Sequence, residues 1–582
     1  MKKSPSGALF LLVPSTSLPV FLGLLFIFSI TGALTLSCAS NPMEKALQGI
    51  SEDRLRADVE YLSSDSCDGR LPFTAGADRA VKYLEKQFEN IGLEAFGDSY
   101  LQQVPLVKIT TEVPQTVPIS LPGEVLSLEN GSDLALFTQS LDAEVQVEDA
   151  ELIFAGYGIV APEYAKNDYA RLENPENKIA VVFVNDPGLD SGSDYFRGDE
   201  MTYYGRWTYK FEEGGRQNLK GVLIIHEDRG AGYGWSVASA SEVRFALDGK
   251  TGGRSAIDEK PESANAPGGK SGFEAVAENA CPLRGWISRG AAEALLDKCG
   301  YDIDSLKAAA RKSDFEPFSL NARLSVNLRS SFEKAESPNV LAYLPGSGET
   351  DECLVCTAHW DHLGHSSTPV NGDSVINGAS DNATAMAWLL ETARLFKSLP
   401  EAPKRNIVFL LPTCEEKGMY GSEYYVGHPV FPMEKTLAVV NMDVLPLWGE
   451  NNDLTITGYG RSDLDSLIRP FAVAQGRYLT PDPQAYNGMF YRSDHLPFMR
   501  KGVPAMFAKG WNDNRLRGKE WSADAIERYW AETYHKPSDQ TSSSDDYSGL
   551  RQEVELFARF LYSLANSEHK PRWRPDSEFQ RK

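Results

Sequence analysis

Cys353-Leu354-Val355-Cys356-Thr357-Ala358-His359-Trp360-Asp361-His362 is the stretch on which the fold turns. Its first six residues are almost wholly apolar and read as a buried strand, and polarity arrives abruptly at His359 and Asp361. The pair Cys353 and Cys356 has the spacing of a metal-binding thiol pair, but no second pair accompanies it, so core cysteines are expected. Working outward, short apolar runs recur at 340–343, 407–411, 437–440, 454–456 and 503–507. Amphipathic helices alternate with them. Met386, Leu389, Leu390, Ala393 and Phe396 share one helical face, as do Leu464, Leu467, Ile468 and Phe471 ahead of Gly476. Leu550, Val554, Phe557 and Leu561 mark a last helix. Strands alternating with helices predict an α/β unit.

Ligands of open α/β sheets bind beyond the carboxyl ends of the strands, and acidic and imidazole side chains collect there. His359 and Asp361 follow the 354–358 run, and Glu415 and Glu416 follow the 407–411 run. Asp443 follows 437–442, Asp381 lies just before a predicted helix, and His535 comes later in Tyr534-His535-Lys536-Pro537-Ser538-Asp539. Taken singly, each is unremarkable: a lone histidine near a strand end is usually structural, and paired glutamates usually face solvent. Gathered at one edge, the carboxylates would repel one another unless cations neutralise them. Imidazole and carboxylate without thiolate is a zinc-type hydrolytic donor set. Two histidines and three carboxylates suffice for two ions about 3.5–4 Å apart if one carboxylate bridges.

These strings, with Asn377-Gly378-Ala379-Ser380-Asp381-Asn382, Asn441-Met442-Asp443 and Tyr491-Arg492-Ser493-Asp494-His495, resemble a zinc metallopeptidase family. That family includes bacterial secreted aminopeptidases, glutamate carboxypeptidases and the catalytically inactive transferrin receptor ectodomain. The likeness runs over nearly all of residues 330–565. It implies a mixed-sheet α/β/α exopeptidase fold holding two Zn(2+) ions. His359, Glu416, Asp443 and His535 would be terminal ligands and Asp381 the bridge. Glu415 would be the general base, Tyr534 the donor to the oxyanion, and Asp361 the residue holding the His359 ring. His362 and His365 match no ligand position and read as structural or solvent-facing. Asp494 and His495 would stand near the substrate pocket, and Met489 and Phe490 suggest an apolar wall, although a core aromatic stripe reads the same.

Upstream, Ile50, Leu55, Val59 and Leu62, then Ala80, Tyr83, Leu84, Phe88 and Ile91, recur at helical spacing. With Ser64-Asp65-Ser66-Cys67-Asp68-Gly69-Arg70 they resemble the first part of the peptidase domain, giving it residues 38–128 and 330–566. Residues 129–329 change character, with short strand-like runs and a segment rich in Gly, Ser, Pro and Lys at 249–272 that reads as a mobile surface loop. The string Ala155-Gly156-Tyr157-Gly158-Ile159-Val160-Ala161-Pro162 resembles an inserted, β-rich protease-associated domain with its connector. Residues 567–582 form a charged tail.

The chain has 582 residues, a formal charge of -23, 42% hydrophobic and 24% charged residues. That composition is globular, the length calls for more than one folding unit, and the acidity argues against nucleic acid as a partner. Lys2 and Lys3 precede an apolar run over 18–36 that ends at Cys38. This layout is that of an export signal at 1–37, and the end resembles a lipoprotein cleavage box with Cys38 as the lipidated residue. An ordinary cleaved signal and an uncleaved anchor read similarly. In each case the bulk of the protein is expected outside the cytoplasm, meeting the membrane only through its N-terminus. Cys281 and Cys299 could pair in such a compartment. The expected activity is removal of N-terminal residues from peptides. A carboxypeptidase or dipeptidase on the same scaffold is the alternative, and a receptor-like ectodomain without catalysis a more distant one.

Overall fold

The computed structural model describes residues 42–240, 243–248, 281–348 and 350–580. Cys38 with its leader, and the 249–272 segment, lie outside the described residues. In chain order the organising strands are β1 (Leu134–Phe137), β2 (Glu144–Phe154), β3 (Lys178–Phe183), β4 (Gly221–Ile225), β5 (Leu283–Ile287) and β6 (Phe318–Leu344). There follow β7 (Cys353–Thr357), β8 (Asn406–Leu411), β9 (Thr436–Asn441), β10 (Asp453–Thr457), β11 (Tyr478–Pro481) and β12 (Ala505–Lys509). The helices used below are α1 (Glu52–Leu62), α2 (Ala75–Ile91), α3 (Trp207–Arg216), α4 (Thr384–Lys397), α5 (Leu464–Ala474) and α6 (Ser548–Asn566).

One mixed sheet runs in the order β11-β10-β12-β9-β7-β8-β6-β2-β3-β4-β5-β1. Strands β8, β7, β9 and β12 are parallel neighbours, and β10 closes against β12 antiparallel. A second parallel group, β2 to β5, lies on the other side of β6. The 27-residue β6 joins the two groups, pairing antiparallel with β8 near its end and with β2 near its start. Between these contacts its middle pairs antiparallel with the Leu101–Glu112 strand. Described residues from Pro42 on form one compact unit. The 129–329 segment supplies β1 to β5 together with α3 and the helices Arg289–Lys298 and Ile303–Ala310, so its sheet, too, is flanked by helices.

Burial follows the pattern of apolar residues. Leu55, Val59, Leu62, Leu84 and Phe88 are buried on α1 and α2, and Gly92 ends α2 in the left-handed conformation at φ 76°. Strand β7 is buried along its length, as expected for a parallel strand covered on both faces. Cys353 and Cys356, three apart on a strand, point to opposite faces and enter separate apolar clusters. Both are free thiols, as are Cys281 and Cys299, so the considered Cys281–Cys299 disulfide is not formed. No helix among the described residues is long and apolar enough to cross a membrane.

Candidate metal centre

Because β7, β8 and β9 are parallel, the loops after them open at one edge of the sheet. His359 leaves β7, Glu415 and Glu416 follow β8, and Asp443 follows β9. Asp381 stands in the irregular turn before α4, where the Asp381–Asn382 peptide is cis. Two groups meet on Asp381. His359 Nε2 lies 3.3 Å from Asp381 Oδ1 and 3.5 Å from Asp443 Oδ1. His535 Nε2 lies 3.2 Å from Asp381 Oδ2 and 3.2 Å from Glu416 Oε2. The two oxygens of one carboxylate thus serve two separate imidazoles. Asp381 Oδ1 and His535 Nε2 are nevertheless buried with no hydrogen-bond partner. Buried polar atoms are rarely left unsatisfied. His359, Asp381 and Asp443 lie close enough together to hold a divalent cation, and Asp381, Glu416 and His535 meet beside them.

The electrostatics point the same way. Burial disfavours charged imidazole, yet Asp381 and Asp443 raise His359 well above an ordinary histidine. Burial likewise works against His535, but Glu416 and Asp381 push it up to about 10. Burial would raise Glu416, and the charge of His535 outweighs it and holds the carboxyl well below its usual range. The carboxylates therefore concentrate positive charge at this point. His535 is the accessible member, its side chain 32% exposed, whereas His359 and Asp381 are buried.

Other side chains fix the cage. Arg70, fully buried, donates to five carbonyl oxygens: Trp360 and Leu62, then Asn377, Gly378 and Asp381 of the bridge turn. Asp539 accepts from the Ser380 and Asp381 amides through its two oxygens, each at 3.0 Å. Gly378 has φ 60°, and a Cβ there would lie 2.2 Å from Asp381 O and 2.5 Å from His362 Cδ2, so only glycine fits. Lys509 donates to the Asp443 and Val444 carbonyls at 2.8 and 2.7 Å. Cys414, Val444 and His535 all have positive φ, between 54° and 59°. For the β-branched Val444 this is a strained conformation, and such strain clusters at functional sites.

The expected partners take the following places. The Asp361 main-chain oxygen holds His359 Nδ1 at 3.1 Å; its carboxylate is 3.9 Å away and instead accepts the Glu415 amide at 3.0 Å. Glu415 is half-buried beside the cage, and burial with the nearby acids raises its carboxyl well above the usual range. Tyr534 stacks on His535 at 3.7 Å and meets the Trp530 ring edge-on. Burial raises this phenol, so it stays protonated and able to donate. His362 is not solvent-facing: it is buried, with Nδ1 2.6 Å from Glu416 Oε1 and Nε2 without a partner. With Asp381 and Glu416 it forms a group close enough to hold an ion, as His359, Asp381 and Asp443 do. His365 is exposed and bonds Asp68 and Ser374. Phe490, Asp494 and His495 are buried. Phe490 packs on Trp573 and Arg461, Asp494 accepts from Ser422, and His495 Nε2 meets the Phe490 carbonyl. Only Met489 of that proposed pocket is half-buried. Arg70, Asp539 and Lys509 escaped the sequence reading as site residues, because their role is contact with backbone atoms far away in the chain. The one available signal was that Arg70 and Asp539 stand inside quoted strings.

Residues 339–560 match the family model for peptidase family M28. This segment belongs to peptidase family M28. All five cage residues fall within the M28 segment. Aminopeptidase YwaD of Bacillus subtilis is 24% identical over 286 residues, 47% of this chain and 54% of the relative. Leupeptin-inactivating enzyme 1 of Streptomyces exfoliatus is 27% identical over 235 residues, 39% of this chain and 48% of the relative. The chain thus spans about half the length of these curated relatives. Among solved structures, an aminopeptidase from Aneurinibacillus sp. strain AM-1 aligns over 91% of this chain and 97% of its own, at 17% identity and a TM-score of 0.47.

Proposed function

We propose that this protein is an exported two-zinc aminopeptidase that hydrolyses the N-terminal bond of peptides. The observation that carries the reading is the sharing of Asp381 between two imidazole–carboxylate groups. His359, Asp381 and Asp443 would hold one ion, and Asp381, Glu416 and His535 the other. When bound, such a pair supplies Lewis-acid chemistry, activating water and polarising a carbonyl oxygen. Glu415, half-buried beside the cage and high in proton affinity, takes the proton of the attacking water and returns it to the leaving amine. The Tyr534 hydroxyl donates to the oxygen that gains charge as the carbonyl becomes tetrahedral. Asp361 and Arg70 keep His359 and Asp381 in register. The 129–329 segment serves as the protease-associated insert bordering substrate access, and Cys38 as a lipid anchor for a protein facing the periplasm or cell exterior.

The test is hydrolysis of matched free and N-acetylated peptides and of an aminoacyl-anilide, after chelation and again after zinc add-back. Activity on free amines alone, lost on chelation and restored by zinc, is expected. Hydrolysis that survives exhaustive chelation would remove the two-metal reading, and equal rates on blocked peptides would move the assignment to a carboxypeptidase.

A further inference from the structure

Glu416 sits between two imidazoles, and the two contacts differ in kind. Its Oε2 lies 3.2 Å from His535 Nε2, whereas its Oε1 lies 2.6 Å from His362 Nδ1. Two donors on one zinc ion, each about 2.0–2.2 Å from it, stand about 3 Å or more apart. The other imidazole–carboxylate distances of the cage, 3.3 and 3.5 Å at His359 and 3.2 Å from His535 to Asp381, fall in that range. The His362 contact does not. It has the length of a hydrogen bond to a carboxylate, and because a carboxylate only accepts, Nδ1 carries the proton. A nitrogen that donates its proton has no lone pair to give a metal.

The ring is fixed in this place. The His362 side chain is 0% exposed, against 32% for His535. Its amide donates to the Arg70 carbonyl at 3.2 Å. Arg70 in turn donates to the carbonyls of Asn377, Gly378 and Asp381. The ring also lies against the bridge turn, since a Cβ on Gly378 would stand 2.5 Å from His362 Cδ2. The imidazole is thus wedged between the turn that carries Asp381 and the carboxylate of Glu416. It meets the His535 ring at 73°, with centroids 5.7 Å apart, so that Glu416 joins a buried imidazole to an accessible one.

Glu416 needs such a partner. It stands in the loop after β8 on a long side chain, and among the described residues that side chain bonds or pairs only with His362 and His535. A carboxylate with one oxygen held presents the other in one direction, and outer contacts of this kind set both the geometry and the affinity of a metal site. The other ligands are served alike: His359 Nδ1 meets the Asp361 carbonyl at 3.1 Å, and the Asp381 carbonyl accepts from Arg70 at 3.3 Å.

We propose that His362 is a positioning residue for the ion of Asp381, Glu416 and His535: by holding Oε1 of Glu416 it turns Oε2 toward that ion, and it does not itself ligate. The proposal rests on the two-metal reading. His362, Asp381 and Glu416 stand close enough together to hold an ion, and under the proposal two of them are ligands and the third is their support.

Zinc titration of the metal-free protein against a competing chelator tests this role on three substitutions. His362→Asn places an amide N–H near the position of Nδ1, His362→Gln places one near that of Nε2, and His362→Ala supplies neither. His362→Ala and His362→Gln are expected to weaken one of the two ions by about ten- to hundredfold and to leave the other as in the parent. His362→Asn should recover most of that loss. Peptide hydrolysis by His362→Ala should fall at limiting zinc and return at saturating zinc, because no ligand has been removed. Unfolding midpoints of the metal-free variants report stability separately, and should His362→Ala not fold, the contrast between His362→Asn and His362→Gln decides. Affinities equal to the parent's for both ions would leave His362 a core residue and overturn the proposal, whatever the midpoints. His362→Asn no better than His362→Gln would overturn it as well. Loss of one whole ion in every variant, as expected of His535→Ala, would make His362 a ligand and overturn it too. A parent protein that binds fewer than two ions is a different result: the two-metal reading fails, and this role with it.

Discussion

Buried charge is handled in opposite ways on the two sides of β6. In the β2–β5 half, Lys166 and Asp168 form a buried pair at 2.7 Å. Lys166 also donates to the Ala310 and Lys312 carbonyls, while Asp168 accepts the Tyr157 and Ile159 amides. Nearby, Lys210 donates to the Asn185 and Tyr204 carbonyls. In the β7–β9 half, the ion-pair partners of Asp381, Asp443 and Glu416 among the described residues are imidazoles, with no lysine or arginine; a buried carboxylate oxygen without a hydrogen bond occurs on both sides, Asp381 Oδ1 here and Asp168 Oδ1 there. A network closed by its own buried ammonium group stabilises a fold and asks for nothing further; one whose carboxylates face only imidazoles is open to a cation. Titratable residues alone do not distinguish the two. What does so is whether a carboxylate's partner is a lysine already held by carbonyls, as for Asp168, or only imidazoles, as for Asp381.

Breaking each network separately should keep the two apart. Removing the shared carboxylate, Asp381→Ala, has the largest effect: bound zinc falls from two ions per chain and peptide hydrolysis drops to background, measured by elemental analysis beside the anilide assay. Metal content equal to that of the parent would disprove the bridge. Lys166→Met leaves Asp168 buried with only backbone donors, and breaking such a pair costs about 3 kcal/mol of stability or more. Denaturant unfolding should report that loss while zinc content stays at two, the mirror image of the Asp381 result. Glu415→Gln retains the metal and the fold and lowers kcat about a hundredfold or more, because only the proton transfer is lost. A kcat within tenfold of the parent would remove Glu415 from the role of base.

Much of this organisation could be read in the chain beforehand. Strands β7 to β10 and β12, helices α4 to α6, and the grouping of His359, Asp381, Glu416, Asp443 and His535 at one edge follow from apolar period and from where polarity interrupts it, whereas the short β11 gave no such signal. Parallel neighbours bring their loops to one side whatever the details of packing. Contacts that depend on three-dimensional closure were not legible. Arg70 reaches across some 300 residues to hold the bridge turn, and nothing in local spacing marks a side chain that bonds only to carbonyls. His362, expected to be structural or solvent-facing, takes the structural place: it is buried against Glu416, a contact that its position in the His359 string did not reveal. Phe490 stands between two readings in the sequence, since an aromatic residue beside a motif reads alike whether it lines a pocket or packs in core, and it is buried against Trp573.

The finest test of the contrast concerns a residue that belongs to both kinds of network. Asp539 is buried and closed, with each oxygen accepting one amide, yet the amides belong to Ser380 and Asp381 of the open site. Asn at this position keeps one acceptor and turns an NH2 group toward the other amide, so one hydrogen bond survives and one contact becomes repulsive. The turn should then shift by a fraction of an ångström without unfolding. Supporting residues of this kind are typically worth ten- to hundredfold in metal affinity, and the surviving bond places Asp539→Asn near tenfold. Zinc titration against a competing chelator measures it directly. An unfolding midpoint close to the parent's with weakened zinc would mean that the closed contact acts through the bridge. Unchanged zinc affinity with lowered stability would assign Asp539 to the fold alone, on the same side of the comparison as Lys166.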